Sequence, residues 1–507
     1  MSKNYVSVVE CINQLDTGSK ARLRQYRKNL STDKNPAYFD DQLRDFIQPY
    51  LTEHGRLTMD RVNKYNDSVD YTASAYEYAQ IEEQLDHFHA DDVPCRTWMR
   101  AMVKAKEYFL NEVSSYNLPF IKPRSEEELD DLLPKKDTHA GWIYVESGLR
   151  SKGDYSGKFL RLRDEALQKG LSLGNFGYPI LIGTRTQASV PWDHEHQFTG
   201  VWKKKTRLVS MVDLRIILCE LPYAKVVQDR LSGLDWYAGG KNDSQIKGVI
   251  NKLGKYKPYR VTIDYSKFDM HQSSWLIREA FDIVRAMYAH LDDEAEKVFD
   301  VIVNSYLDKT FVSANGLVHS YNGTPSGDMF TQIIDSIVNR LMVLTYFFHK
   351  EVHPHDFAMI IMGDDNLIFT NRQMDVDDLA SYLTFNFGIE VNPSKMSVSK
   401  YPEPPEFLSR WWTSDGCDRS DEVVVTKLLY PERFADYGSK NGNHPRYKIA
   451  SMIWAYPVAA KRVLNIRRFL DEEFSERVIS KMHLRLNLNG YLRYALTYWS
   501  QDVDFRL

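Results

Sequence analysis

Cysteine is scarce, with four in 507 residues (Cys11, Cys95, Cys219 and Cys417), far apart and without a C-x-x-C pair. That spacing argues against a disulfide framework or a thiolate zinc site, and it suits a reducing compartment. No uninterrupted apolar run approaches the roughly eighteen residues a membrane-spanning helix needs, so no membrane partner is expected. Behind Met1-Ser2-Lys3-Asn4-Tyr5 no apolar stretch follows a basic one. No secretory signal is read there, and the expectation is a soluble intracellular chain. Internal repeats and low-complexity tracts are missing too, which sets aside solenoids and disordered tails.

What is present is an ordinary globular composition, 43% hydrophobic and 26% charged. The chain is long enough for several subdomains around more than one core. Net charge is −4, but nucleic-acid binding depends on where cations sit rather than on their sum. Three stretches are locally basic: Lys203, Lys204, Lys205 and Arg207; then Lys247, Lys252, Lys255, Lys257 and Arg260; then Lys440 to Arg468, with Arg446, Lys448, Lys461, Arg462 and Arg467 and no acidic residue. Any one of them alone reads as a solvated face. With acidic residues gathered elsewhere (Glu126, Glu127, Glu128, Asp130, Asp131), the map suits an internal cationic channel.

Residues 1–130 show helix-like patches rich in tyrosine and histidine and no evident chemistry. Ser125 before three glutamates predicts a capped helix start, and Pro134 marks a boundary. Glycines and prolines break residues 140–255 into short apolar runs. Residues 255–415 alternate short β-rich strands with longer helices, and the chain after 416 reads as helical. The fold class expected is α/β (α+β).

Two acidic sites carry the chemistry. Val261-Thr262-Ile263 is a short strand ending at Asp264, with Asp269 five residues on after a turn. Further along, Gly363-Asp364-Asp365-Asn366 lies between the apolar runs 357–362 and 367–369, the pattern of a buried hairpin with its carboxylates at the tip. Carboxylates crowded together are costly unless a cation joins them, and Mg²⁺ suits oxygen ligands. Either motif alone is also a common turn sequence.

Between them, Thr324-Pro325-Ser326-Gly327 leads through Thr331 into a helix with Ile333, Ile334, Ile337, Val338, Leu341 and Met342 on one face. Ser326 is expected to cap that helix. Asp-x₄-Asp, then Ser-Gly-x₃-Thr, then Gly-Asp-Asp resembles the ordered motifs A, B and C of viral RNA-dependent RNA polymerases. The wording around residues 325–339 is most similar to partitivirus enzymes, with picobirnaviruses next. Motif F is matched by Lys203, Lys204, Lys205 and Arg207, motif D by residues 387–395 with Lys395, and motif E by residues 407–410 with Ser409 and Arg410. A looser match to motif G includes Thr186 and Ser189. The resemblance covers residues 184–410, a little under half the chain.

This resemblance implies a right-hand polymerase whose palm is a small, mainly antiparallel sheet flanked by helices. An N-terminal region (1–130) would brace fingers and thumb; fingers would span 131–254 and 276–315, palm 255–275 and 316–415, and a helical thumb 416–507. It implies two Mg²⁺ ions, with Mn²⁺ as a substitute, held by Asp264, Asp364 and Asp365. Lys395 would be the general acid, and Lys203, Lys204, Lys205 and Arg207 would hold the triphosphate. Asp269, Ser326, Gly327, Thr331 and either Asp335 or Asn339 would meet the incoming nucleotide and its ribose. Ser409, Arg410, Thr186 and Ser189 would line the primer and template path. Asp335 stands where many positive-strand enzymes have asparagine, and Asn339 lies a turn further on. Asn366 stands where many partitivirus-like enzymes have serine, and there it is expected to tune metal or primer contacts. Implied partners are template and product RNA, nucleoside triphosphates and a capsid protein, in the virion interior and host cytoplasm. The competing readings are a reverse transcriptase, a non-enzymatic RNA-binding virion protein and a carboxylate-pair glycosidase.

Overall fold

The computed structural model describes residues 3–30, 39–64, 78–88, 95–96, 99–189, 203–430 and 444–473. The chain forms two compact units: one from segments 1–32, 78–184 and 207–408, the other from 33–77, 185–206 and 409–507. Its strands in chain order are β1 (Ile180–Ser189), β2 (Lys203–Met211), β3 (Tyr259–Val261), β4 (Lys309–Val312), β5 (Leu317–Ser320), β6 (Phe357–Met362), β7 (Asp365–Thr370), β8 (Val398–Lys400), β9 (Glu406–Phe407), β10 (Arg410–Thr413) and β11 (Gly416–Asp418).

Within the first unit, β6-β7-β3-β8 make an antiparallel sheet. Both hairpin strands are apolar because both faces are covered: Ile360, Ile361, Ile368 and Phe369 are fully buried. A second sheet has the order β2-β1-β4-β5, with β1 and β4 parallel through Ile180↔Phe311 and Leu181↔Val312. The helix Thr331–His349 runs through the middle of the unit. Its sequence predicts one apolar face, yet every residue from Ile333 to Phe347 is buried. Polar side chains on it must therefore be satisfied inside the protein. Arg340 meets that demand by pairing with Glu112 at 2.6 Å and lying between the rings of Phe109 and Trp236, 4.3 and 4.4 Å away. Phe109 and Glu112 belong to the helix Arg100–Val113, so part of the N-terminal region, opaque in sequence, buttresses this central helix. The helix start at Ser125 forms as its pattern predicts, the hydroxyl accepting the Glu128 N–H at 3.1 Å.

The second unit is built from the helices Asp41–Ile47 and Glu53–Lys64 packed with Asp421–Leu429, Pro445–Ala455, Pro457–Val463 and Ile466–Glu473. Leu43, Ile47, Met59, Val62, Val425, Leu429, Ile449, Ile453, Val463 and Phe469 form its core. Here two cations of the third basic stretch turn inward. Arg462 reaches Asp418 and Asp421, each at 2.8 Å, and Lys448 reaches Asp40 at 2.7 Å. Asp421 and Asp40 are both about 1% exposed, so these cations neutralise buried carboxylates instead of lining a channel.

Candidate active site

The acidic turn is shaped by three elements. In the hairpin, Met362 pairs with Asp365, leaving Gly363-Asp364 as a two-residue turn. Gly363 has φ +65°, the left-handed backbone that glycine takes at the first position of such a turn. The helix Thr331–His349 fixes the turn from behind. Ser336 Oγ accepts the Gly363 N–H at 2.8 Å, and Asn339 Nδ2 donates to the Gly363 and Asp364 carbonyls, both at 3.0 Å. Asn339 Oδ1 accepts the Tyr265 hydroxyl at 3.0 Å. Asn366, 2% exposed, ties in the neighbouring strand: its Oδ1 accepts the Ile263 N–H at 3.0 Å and its Nδ2 donates to the Asp364 carbonyl at 3.3 Å. β3 pairs with β7 through Val261↔Ile368. Carried on by three residues, that register sets Asp264 opposite Asp365. Asp264 and Asp365, far apart in the chain, are thus set near enough that the Asp264 charge helps raise the Asp365 pKa, in the register that keeps Val261 and Ile368 inside. Asn366 is a strand-to-turn tie in this arrangement.

Asp364 and Asp365 reach solvent but lie in a crowded recess. Burial raises the carboxyl pKa of both, with Asp364 pushing Asp365 further, to about 7. Asp269 is likewise pushed up to about 7 by burial and then by Asp364, and Asp335 is driven well above its ordinary range by burial and then Asp269. Arg207 opposes these shifts at Asp269, Asp364 and Asp365, so its charge faces the cluster. Lys395 Nζ stands 3.8 Å from Asp264 Oδ2. A recess of oxygen donors with excess negative charge fits a hard divalent cation. Among the described residues no three His, Cys, Asp or Glu side chains are already gathered as a ligand cluster. The carboxylates repel one another, and a cation would supply the attraction that is missing.

The loop before the central helix faces the same recess. Thr324 N–H donates to the Asp269 carbonyl at 2.6 Å, and Gln272 Nε2 donates to Asp335 Oδ1 at 2.7 Å. Asp335 and Asp269 therefore stand together, while Asn339 is fully engaged by the turn. Ser326 does not cap the helix, which begins five residues later at Thr331; its Oγ accepts the Ser210 N–H of β2 at 3.0 Å. Thr331 closes the loop by donating to the Pro325 carbonyl at 2.6 Å. Gly327 packs so tightly that a Cβ would lie 2.0 Å from the Ser210 carbonyl oxygen. Below, Glu220 accepts the Met329 N–H at 3.4 Å, and Asp328 accepts the Phe330 N–H at 2.8 Å. Glu220, 1% exposed, is driven well above the usual carboxyl range by burial and then by Asp328, whose own value is pushed to about 6. These shifts favour a proton held between the pair beneath the loop.

Lys203, Lys204, Lys205, Thr186 and Ser189 lie on β1 and β2, but their side chains fall outside the described residues. Ser409 and Arg410 belong to the second unit, where the Arg410 guanidinium lies 5.9 Å from the Tyr456 ring. Sequence reasoning missed Ser336, Gln272, Thr324 and Glu220. A signal existed for the first: Ser336 and Asn339 stand three apart on the helix and so share one side of it.

An antiparallel sheet with an acidic hairpin tip, a carboxylate on the adjoining strand and a glycine loop at a buried helix is the palm of a right-hand polymerase. The crystal structure of the RNA-dependent RNA polymerase of a human picobirnavirus has this fold: TM-score 0.65 at 16% identity, over 95% of this chain and 92% of that one. The family model "Viral RNA-dependent RNA polymerase" matches residues 33–483, and the chain belongs to that family. An RNA-directed RNA polymerase from Atkinsonella hypoxylon virus is 33% identical over 152 residues, 27% of this chain and 23% of that protein. A genome polyprotein of Ljunganvirus 1 is 27% identical over 211 residues, 40% of this chain and 9% of the polyprotein. The chain thus spans less than a quarter of the length of either curated relative. No described helix is long and apolar enough to cross a membrane.

Proposed function

We propose that the chain is an RNA-directed RNA polymerase that transfers a nucleotide from a nucleoside triphosphate to an RNA 3′-hydroxyl, releasing pyrophosphate. The observation that carries this is the convergence of Asp264 with the Asp364-Asp365 turn, faced by Arg207 and closed by the 324–331 loop. Asp264, Asp364 and Asp365 would hold two Mg²⁺ ions, or Mn²⁺ in their place. When bound, these ions would lower the pKa of the 3′-hydroxyl and neutralise charge on the triphosphate.

The chain's own residues do the rest. Arg207 presents a planar fork to the triphosphate, joined by Lys203, Lys204 and Lys205. Lys395 Nζ gives its proton to the departing pyrophosphate. Asp269 and Asp335, held by Thr324 and Gln272, recognise the ribose 2′-hydroxyl that marks RNA. Ser326, Gly327 and Thr331 set the loop that presents the sugar. Asn339 acts through the turn as a positioning residue. Ser409, Arg410, Thr186 and Ser189 guide primer and template. Template choice rests on base pairing, so no base readout by the protein is needed.

The setting we propose is a small double-stranded-RNA virus, supported by the likeness to the picobirnavirus fold. There the chain would replicate and transcribe genome segments inside the virion, beside a capsid protein and within the host cytoplasm. Fingers would span 131–254 and 276–315, palm 255–275 and 316–415, and thumb 416–507. The test is labelled-nucleotide incorporation on RNA against DNA templates, with and without Mg²⁺. Asp364→Ala should abolish Mg²⁺-dependent incorporation on RNA with circular dichroism unchanged; substantial residual synthesis by that variant defeats the assignment.

A further inference from the structure

The second basic stretch, unused by the catalytic recess, lies at the opposite end of the palm sheet. Tyr259 of β3 pairs with Lys400 of β8, the edge strand, and the Tyr401 N–H donates to the Pro258 carbonyl at 2.9 Å. These bonds bring the 255–258 turn beside residues 398–401. On this corner Tyr256 is 73% exposed, Tyr401 66% and Val398 47%. Cations stand over the rings: Lys255 is 5.1 Å from the Tyr256 centroid, Lys400 5.1 Å from Tyr259, and Arg260 5.6 Å from Tyr401. Lys252 pairs with Asp235, whereas Lys255, Lys257 and Lys400 have no carboxylate partner among the described residues. The nearby Glu403 carboxylate is turned onto its own chain, accepting the Lys400 N–H at 3.2 Å.

Two large rings left in water beside three unpaired ammonium groups match what a single RNA strand offers. Bases stack on the rings, and phosphates meet the lysines. We infer that this corner is a second RNA site, which holds a single-stranded segment of template or product on the outer edge of the palm. Tyr259 and Asp264 lie five residues apart along β3 and the chain that continues it, about 17 Å at 3.3 Å each. The segment held here is therefore not the one undergoing chemistry. An exposed edge strand also invites pairing with another chain, and Lys400 on its rim disfavours that.

The inference takes only the identity of the polymer from the polymerase reading. The test uses the full chain and two RNA hairpins that carry their own primer, one with a long single-stranded tail and one with a short tail. The unmodified chain should bind the long-tailed hairpin more tightly, with a preference that falls as salt rises. Y256A/Y401A and K255E/K257E/K400E should each shrink that preference by about tenfold or more, the loss expected for two stacks or three phosphate contacts. Both should extend the short-tailed hairpin at the unmodified rate. An undiminished tail preference in both variants overturns the site. So does a preserved preference accompanied by loss of capsid-protein binding, which would make the corner a protein contact. Failure of the unmodified chain to extend the short-tailed hairpin would count against the polymerase reading instead.

Discussion

Replacing Asn339 by alanine removes three hydrogen bonds at once, two to the Gly363 and Asp364 carbonyls and one from the Tyr265 hydroxyl. The carbonyls sit at a turn that reaches solvent, so water can satisfy them at little cost. Tyr265 cannot recover in that way, because its ring and hydroxyl are buried and burial pushes its pKa up. An orphaned buried hydroxyl costs about 1–3 kcal/mol, and the lost bonds add about 1 kcal/mol, giving about 2–4 kcal/mol of lost restraint on the turn. If that restraint is what holds Asp364 and Asp365 in place, single-nucleotide incorporation should fall by about 30- to 1000-fold. Single-turnover extension of an RNA primer–template, with amide exchange at residues 363–366, is the assay. Exchange should accelerate at the turn while the rest of the first unit keeps its protection. Near-normal incorporation despite a loosened turn would refute the claim that the central helix positions the carboxylates.

Three further outcomes follow from packing and charge. Gly327→Ala should lower incorporation by roughly 5- to 150-fold through overpacking of about 1–3 kcal/mol against the Ser210 carbonyl; single-turnover kinetics well below the melting temperature of the variant would check it. Glu220 faces Asp328, with Lys309 and Lys152 contributing more weakly from neighbouring elements. Its raised pKa stabilises the fold below about pH 4.3, its unfolded value, and that stability is lost as pH rises toward the folded value. Glu220→Gln should therefore flatten the decline in melting temperature between acid and neutral pH and keep incorporation near normal, whereas Glu220→Ala should lose it; identical pH profiles for wild type and Glu220→Gln would refute the shared proton. In the second unit, Arg462→Ala takes the guanidinium from the buried Asp421, leaving it only the His54 ring at 2.7 Å, and should destabilise that unit by up to about 3–5 kcal/mol, read as proteolysis of segments 33–77 and 409–507 at lower temperature.

Much of the recess was legible from residue order. A glycine between an apolar run and two aspartates, with a second apolar run behind, reads as a tight hairpin, and its flanks put the strands inside. Asp264 ending a β-rich run, and the Thr324–Thr331 loop opening an apolar helix, were equally local signals. The partners of those residues were not. That Ser326 meets β2 rather than its own helix, that Asn366 ties two strands, and that Glu220 lies under residues 328–329 all depend on segments more than thirty residues apart in the chain.

Charge shows the same division. Three basic stretches look alike as sequence, and the fold sends them to three fates. Arg207 of the first faces the acidic recess, Lys255 of the second stands exposed beside Tyr256, and Arg462 and Lys448 of the third are spent on buried carboxylates. Sequence determined which side chains could carry chemistry, because hairpin, strand end and helix start are set by neighbours a few residues away. Tertiary structure decided which of them meet, since convergence, burial and counter-charge arise from strand register and helix packing between segments that the chain itself keeps apart.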